Sequence, residues 1–286
     1  MAGVRGHGRR LVSAKRILFV GVGLALSALF IAPIFWTVLS SFKPAAEARL
    51  PPLPPWPSRF TLENYEALNS FGSGIRTHLG NSLVVALATI VLTTLVSVLA
   101  GYGFSRFEFR GKNVLFVLII LKLMIPFQSV VTPLFLVLSY LRLQNSLIGL
   151  TLVYATLQLP FSVFMMRNAF DTVPREIEEA ARIDGCSTFS MLTRVMLPLV
   201  VPGLVTVCIF AFLGSWNEFL GALILLTDND LYTLPILVTA VRSGLYGTID
   251  WGAVQAGVTV MMIPCLLIFL LLQRYYMRGL TSGAIK

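Results

Sequence analysis

Long apolar runs constrain this chain more than any other feature of its sequence. A helix needs about 20 consecutive, mostly apolar residues to cross the hydrocarbon core of a bilayer. Four runs meet this length and predict single membrane-spanning helices: 17–39, 82–102, 147–166 and 253–272. The first run is too long for the apolar part of a cleaved signal peptide and no A-x-A site follows it, so we expect it to remain as an anchor.

Two further apolar runs contain residues that interrupt a helix or are costly in a bilayer. The run 114–138 contains three of them: Lys122, Pro126 and Pro133. The other run begins at Leu199, passes Leu220 and contains Glu218. Proline inside a span is tolerated where neighbouring helices satisfy the freed carbonyl. We therefore expect both runs to form kinked or broken spans, and the sequence predicts an all-α polytopic membrane protein with six transmembrane helices.

The composition agrees with a membrane protein and argues against several other classes. Hydrophobic residues make up 56% of the chain and charged residues only 12%, whereas soluble domains carry about 25% charged residues. The formal net charge is +9, but no basic stripe is interleaved with aromatic residues, so we expect no nucleic-acid binding. The three scattered cysteines fit neither a disulfide framework nor a metal site. The chain also has no phosphate-binding loop of the G-x-x-x-x-G-K-[ST] kind.

The distribution of lysine and arginine predicts the orientation of the spans. Fifteen of these residues fall in the two tails and in the loops after the second and fourth spans, six fall in the other loops, and Lys122 lies within a span. The positive-inside rule then places both termini in the cytoplasm. The predicted segments are a cytoplasmic tail, the first span, an external loop that includes a proline cluster, a core of five spans and a second cytoplasmic tail: 1–16, 17–39, 40–81, 82–273 and 274–286.

The loop between the fourth and fifth spans, residues 168–198, predicts two short helices with a sharp turn between them. Pro174 suits a first helical position, and strong helix formers continue to Asp184. Gly185 fits the left-handed position that ends a helix. Ser187 can then cap a second helix that leads into the fifth span.

Side chains of the first loop helix suggest how it is stabilised and what it contacts. Glu178 and Arg182 are four residues apart, a spacing that predicts a supporting ion pair. Three residues give this helix a face suited to a groove in another protein: Ile177, Ala180 and Ala181. The loop is therefore a candidate docking element.

This loop resembles the EAA loop of bacterial ABC importer permeases. The family pattern reads E-A-A, three residues, G, nine residues, I, one residue, L-P. The chain matches it from Glu179 to Pro198, with Val195 in place of isoleucine. Other segments resemble the carbohydrate-uptake permeases of the maltose type, and especially their smaller six-span permease: 41–44, 63–65, 81–83, 101–106, 183–185, 216–219 and 279–286. The resemblance covers the chain from about residue 17 to its end.

The resemblance implies a type I ABC importer fold and a permease subunit in the bacterial cytoplasmic (inner) membrane. Such a subunit moves a sugar, or a related polyol or glycerophosphate compound, by alternating access. The implied partners are a paralogous permease, two copies of an ATP-binding subunit that carry ATP and Mg²⁺, and an extracytoplasmic sugar-binding protein. This chain would itself bind no cofactor and would not be an enzyme.

The resemblance also names the residues that would meet the ATPase. In the loop they are Glu178, Glu179, Ala180, Ala181, Asp184, Gly185, Leu197 and Pro198. In the carboxyl-terminal tail they are Gly283, Ala284 and Lys286.

Polar residues inside the apolar runs are candidates for lining a translocation path. Intramembrane charges are costly and usually face the bundle interior or a water-filled cavity, and aromatic and amide groups together suit a sugar. The candidates are Lys122, Trp216, Asn217 and Glu218. We expect Lys122 to pair either with Glu218 or with a carboxylate of a partner subunit. A structural polar contact within the bundle is the alternative role for Glu218.

Two other classes of protein compete with this interpretation. An ion-coupled secondary transporter would need intramembrane ion ligands and usually internal repeats, and the apolar runs offer only Lys122 and Glu218. A membrane-embedded enzyme would need a polar catalytic constellation near the membrane, which the sequence lacks. The EAA-like loop favours the ABC importer permease over both.

Overall fold

The computed structural model describes residues 7–48 and 56–282, with side chains for residues 16, 18–48 and 56–273, and all regular structure in these residues is helical. The α-helices are α1 (His7–Ser41), α2 (Ala45–Ala48), α3 (Glu63–Asn69), α4 (Ile75–Arg106), α5 (Lys112–Leu121), α6 (Phe127–Tyr140), α7 (Leu147–Asp171), α8 (Arg175–Ile183), α9 (Thr188–Ser190), α10 (Leu197–Leu199), α11 (Val201–Trp216), α12 (Leu220–Leu225), α13 (Leu234–Arg242) and α14 (Trp251–Ser282). Two 3₁₀ turns, Lys122–Met124 and Asn229–Leu231, and one π-helical turn, Met191–Met196, complete the set. The predicted all-α class is confirmed.

Helix length and composition support four to six membrane spans. Four stretches are long and apolar enough to cross as single helices: Leu18–Ser41, Ile75–Arg106, Leu147–Asp171 and Trp251–Gln273. Two bent pairs of helices pass the same test together: Lys112–Met124 with Phe127–Tyr140, at 108°, and Thr188–Leu199 with Val201–Trp216, at 83°. If each bent pair is one span, the count is the predicted six, and the third and fifth spans are the broken ones.

The positions of the breaks agree only in part with the sequence. The break before α6 lies at Pro126, while Pro133 lies inside α6 without ending it. The fifth run is broken, as expected, but it does not continue past Leu220 as one helix, because α11 ends at Trp216 and a separate short helix follows. Glu218 therefore lies in a break between two helices.

The chain divides into two compact units: Met1–Leu68 with Val241–Val260, and Asn69–Ala240 with Met261–Lys286. In the first unit the fully buried Asn64 joins α3 to the end of α1. Its side-chain amide donates to the carbonyls of Ser41 at 2.9 Å and Lys43 at 2.8 Å. Gly252 lies so close to Asn64 that any side chain there would collide with it. These contacts join three stretches of sequence into one small core.

The second unit is built around α4, α7 and α11, which pack against one another. Glycines permit the closest approaches, as small residues do at helix interfaces in membranes. A Cβ added to Gly101 would lie 2.6 Å from Met166 Cβ, and one added to Gly203 would lie 2.7 Å from Ala169 Cβ. This three-helix core carries both the loop 168–198 and the polar groups of the broken spans.

Candidate functional site

The loop 168–198 folds as two short helices with a glycine turn, as its sequence predicts. Helix α8 begins one residue after Pro174, which is its N-cap rather than its first residue, and Asp184 is its C-cap. Gly185 adopts φ +83°. The Gly185 N–H donates to the Arg182 carbonyl and the Cys186 N–H to the Ala181 carbonyl, both at 3.0 Å. This pair of bonds is the Schellman motif, which satisfies carbonyls left free at a helix end.

The second loop helix is also capped as predicted, and it continues in a way that the sequence did not indicate. The Ser187 hydroxyl accepts a hydrogen bond from the Ser190 N–H at 3.3 Å. After α9 the backbone widens into the π-helical turn Met191–Met196, where the N–H of Leu197 bonds to the Leu192 carbonyl. Single π-helical turns of this kind are rare and often lie at functional sites.

The ion pair of Glu178 differs from the predicted one. Glu178 lies 2.6 Å from Nε of Arg106, at the end of α4, and both side chains are less than a tenth exposed. The same guanidinium donates to the carbonyls of Phe170 at 2.8 Å and Val173 at 2.6 Å. Arg182 is exposed and forms no ion pair with Glu178 in the part of the chain that the structure describes, so the predicted i,i+4 pair was wrong. A buried guanidinium is stable only when its charge is paired, and Glu178 is the carboxylate that reaches it.

Apolar contacts fix the inner side of the loop to the core of the second unit. Ala181 packs into a cluster of buried residues from α4, α7, α11 and the loop: Val98, Tyr102, Met166, Phe170, Val173, Met191, Leu192, Met196, Val200 and Val207. The expectation that Ala181 shares an outward-facing surface with Ala180 and Ile177 was therefore wrong. Ala181 and Glu178 face this chain's own core.

The outer side of the loop is exposed and partly apolar. Glu179, Ala180, Asp184 and Gly185 are exposed. Ile183 is 86% exposed and Phe189 is 73% exposed. At the far end of the loop Leu197 is half-buried and Pro198 is exposed. The exposed apolar side chains Ile183 and Phe189 make the outer side of the loop a candidate surface for another protein.

A second candidate site is a cavity of about 270 Å³ in the second unit. Its lining combines polar and apolar side chains: Lys122, Leu123, Ile125, Phe127, Tyr154, Leu157, Gln158, Gly214 and Glu218. The cavity thus contains two of the four predicted path residues, Lys122 and Glu218. Tyr154 and Gln158 were missed, although their i,i+4 spacing as polar residues in an apolar run is a signal that could have found them.

Lys122 and Glu218 share the cavity but form no ion pair with each other in the part of the chain that the structure describes. Of the two partners expected for Lys122, Glu218 is therefore wrong, and a carboxylate of a partner subunit stays a prediction. Nζ of Lys122 donates to the Leu157 carbonyl at 3.4 Å. The Glu218 carboxylate accepts from the N–H groups of Gly221 at 2.9 Å and Ala222 at 3.2 Å, and also from the Tyr154 hydroxyl. It therefore caps the first turn of α12, where a negative charge is favoured.

The other two predicted path residues do not line this cavity. Trp216 is 1% exposed, its ring stacks on Phe212, and its Nε1 donates to the Met261 carbonyl at 3.1 Å. Asn217 is exposed and donates to the Leu213 carbonyl at 3.0 Å. Trp216 therefore has a structural contact within the bundle.

Two further predictions concern the tail and metal binding. The predicted tail contacts Gly283, Ala284 and Lys286 lie outside the described residues. Among the residues that the structure describes, no group of three histidine, cysteine or acidic side chains could hold a metal ion. The two sites that remain are the exposed loop surface and the polar cavity.

Known proteins are similar to this chain in sequence and in fold. Residues 93–282 match the family described as "Binding-protein-dependent transport system inner membrane component". The chain is 37% identical to the probable ABC transporter permease protein YurM of Bacillus subtilis over 256 residues, which cover 89% of this chain and 83% of that protein. It is 35% identical to the arabinooligosaccharides transport system permease protein AraQ of Bacillus subtilis over 276 residues, covering 96% and 97% of the two chains.

A solved structure agrees with these relatives. The fold matches a chain of a bacterial ABC transporter involved in the import of the acidic polysaccharide alginate, with a TM-score of 0.77 and 20% identity, over 96% of this chain and 100% of that one. The family match and the relatives each cover most of the sequence. The chain therefore belongs to the family of binding-protein-dependent transport system inner membrane components, the permease subunits of ABC importers.

Proposed function

We propose that this permease carries a sugar and is driven by a separate ATPase that docks on the exposed surface of the loop 168–198. The observation that carries the proposal is the two-sided character of α8. Its inner side, Glu178 and Ala181, is held by Arg106 and the apolar cluster, whereas Glu179 and Ile183 on its outer side are exposed. A loop with one fixed side and one free side can pass a movement of its partner to the bundle.

The proposed assembly follows the pattern implied by the sequence. A paralogous permease completes the path, two ATP-binding subunits carry ATP and Mg²⁺, and an external binding protein delivers the sugar. Both termini face the cytoplasm, and the tail residues Gly283, Ala284 and Lys286 reach the ATPase. A sugar substrate is supported by the relative that is named for arabinooligosaccharides.

The proposed mechanism is alternating access by rigid-body movement of helix bundles. When the ATPase subunits close, they push on the outer side of α8. Because Arg106 joins Glu178 to the carbonyls of Phe170 and Val173, the push reaches the ends of α4 and α7 together. The bundle then moves as one body. As a result the cavity closes to one side of the membrane and opens to the other.

The test is to remove one exposed carboxylate from the docking surface. Glu179→Ala should lower recovery of the ATPase in a pull-down by the permease, and should lower uptake of radiolabelled arabinobiose or maltose in the same cells. Glu66→Ala is the matched control, because Glu66 is also an exposed carboxylate but lies on α3, distant in sequence from the loop 168–198. If Glu179→Ala and Glu66→Ala both retain wild-type recovery and uptake, the loop is a simple connection and the proposal fails. Sugar uptake that needs an ion gradient and no ATPase would favour a secondary transporter instead.

A further inference from the structure

Two interruptions of the apolar spans meet at the cavity. Ile125, in the break between α5 and α6, and Glu218, in the break between α11 and α12, both line it. Non-helical backbone at membrane depth is tolerated only where it is buried in protein or lines a water-filled space. Discontinuous helices of this kind form the substrate sites of many transporters. The cavity is therefore placed where a transported molecule would be held.

The two charged groups of the cavity differ in how completely their own chain satisfies them. The Glu218 carboxylate accepts two backbone N–H groups and the Tyr154 hydroxyl. Lys122 has one long bond to a neutral carbonyl, at 3.4 Å, and no carboxylate within ion-pair distance in the part of the chain that is described. An ammonium group has three N–H donors. The charge that the cavity offers to a ligand is therefore positive.

Gln158 adds a neutral polar group to the same wall. Its side-chain amide lies against Gly214, where even a single added carbon would overlap with Nε2 of Gln158. The glycine thus makes room for the amide between α7 and α11. An amide and an ammonium together can bind a sugar hydroxyl and an anionic oxygen.

We propose that this cavity binds the negatively charged group of an acidic sugar, a carboxylate of the uronate type, with Lys122 as its counter-charge. The inference rests on the proposed sugar-transport function and narrows its substrate class. Lysine presents one compact positive charge, which the single negative charge of a carboxylate balances, whereas a phosphomonoester carries close to two negative charges. The volume of about 270 Å³ lies just below the ~300–1,000 Å³ of sites for drug-sized ligands, and it suits one sugar residue rather than a whole oligosaccharide.

The experiment compares two sugars that differ in charge. Saturation-transfer NMR on the complete transporter in lipid nanodiscs, without its binding protein, would use D-glucuronate and D-glucose as probes. A charge-assisted contact predicts a preference for glucuronate of about tenfold in affinity. Lys122→Gln should bring the ratio of the two affinities close to one, while Lys122→Arg should keep most of the preference. Lys112→Gln is the matched control, since Lys112 begins α5, the helix that leads to Lys122, and pairs with Glu108, outside the cavity.

Two results would overturn the inference. One is equal binding of the two probes by the wild-type transporter, and the other is a preference for glucuronate that Lys122→Gln leaves unchanged. If the wild type binds both probes equally and the Lys122→Gln variant also loses its partner permease during purification, Lys122 pairs with a carboxylate of that partner instead. A transporter that holds its ATPase and yet binds both probes alike would refute this inference and leave the proposed function intact.

Discussion

Nε of Arg106 lies 2.6 Å from Oε1 of Glu178, and this contact joins the end of α4 to α8, the short helix that follows α7. Arg106 also binds the carbonyls of Phe170 and Val173 at the end of α7. Beside it, the Ser105 hydroxyl donates to Asp171 at 2.5 Å. One buried guanidinium thus connects α4, α7 and α8.

The first prediction is that Arg106→Met loosens the loop without unfolding the spans. It leaves Glu178 as a buried, unpaired carboxylate, and breaking a buried ion pair from one side costs about 3–5 kcal/mol. We expect a lower melting temperature and faster protease cleavage within residues 168–198. The double variant Arg106→Met/Glu178→Met should recover part of this loss, because no unpaired charge remains.

A surface ion pair provides the comparison for this prediction. Nζ of Lys112 donates to Glu108 at 2.9 Å, and this hydrogen bond and the lysine charge hold the pKa of Glu108 below its ordinary value. Because Glu108 is largely exposed, Glu108→Gln should hardly change the melting temperature. A melting temperature of Arg106→Met that equals that of Glu108→Gln would contradict the structural role of the buried pair.

The second prediction concerns the turn at Gly185. Its φ of +83° is disfavoured for other residues, most of all for β-branched ones. An added Cβ meets nothing within 4 Å, so Gly185→Val acts through backbone strain, which for L-residues in the left-handed region is about 1–2 kcal/mol. We expect Gly185→Val to insert but to bind its ATPase less well in a pull-down. Gly185→Asn should bind better, because asparagine tolerates this conformation.

Gly111 offers a matched control for Gly185. It also has φ +83° and open space around it, but it precedes α5. Gly111→Val should therefore introduce similar strain without moving the docking surface, and recovery of the ATPase should stay at the wild-type level. An equal loss of recovery in both valine variants would mean that general destabilisation, rather than the geometry of the loop, causes the effect.

The third prediction compares two glycines of α4. A Cβ at Gly101 would lie 2.6 Å from Met166 Cβ and 2.9 Å from the backbone N of Arg167, whereas a Cβ at Gly103 would meet nothing within 4 Å. Overpacking typically costs about 1–3 kcal/mol, and alanine is a better helix former than glycine by about 1 kcal/mol. Gly101→Ala should lower the melting temperature and Gly103→Ala should leave it unchanged or raise it. The opposite order would refute the close packing of α4 and α7.

The fourth prediction tests the orientation of the chain. Ser58 and Phe189 are both exposed, and the proposed topology places them on opposite sides of the membrane. In a variant without Cys186, Cys208 and Cys265, a cysteine at Ser58 should react with an impermeant thiol reagent in intact cells. A cysteine at Phe189 should react only after the membrane is permeabilised. The reverse pattern would invert the topology.

Local signals predicted the loop well, and partners distant in the sequence could not be predicted. Glycine favours the left-handed turn at position 185 and serine favours the helix cap at position 187. Both roles can therefore be predicted from a few neighbouring residues. The partner of Glu178 depends on how α4 and α7 place the buried Arg106, and the i,i+4 rule pointed to Arg182 because it considers a single helix in water. Arg106 is buried beside Glu178 in the folded chain, and it therefore pairs with Glu178 in place of the exposed Arg182.

The ends of the spans show a similar limit. Hydropathy predicted that the second span begins at residue 82, but α4 starts at Ile75, because a helix continues past the apolar stretch when its backbone bonds and packing allow it. Trp216 ends α11 without a proline or glycine next to it. That break is stabilised by Glu218, which caps α12. The charge of Glu218 indicated an interruption of the apolar run but not the residue at which the helix ends.

The exposed surface of the loop has a consequence for the fate of a permease that is made in excess. Ile183 and Phe189 are exposed in this chain, and the proposed docking of the ATPase would cover them. Unassembled copies would carry an apolar patch of the kind that chaperones and proteases act on in cells. The lifetime of this subunit should then follow the supply of its ATPase, so that the loop sets the stoichiometry of the complex by marking surplus copies for degradation.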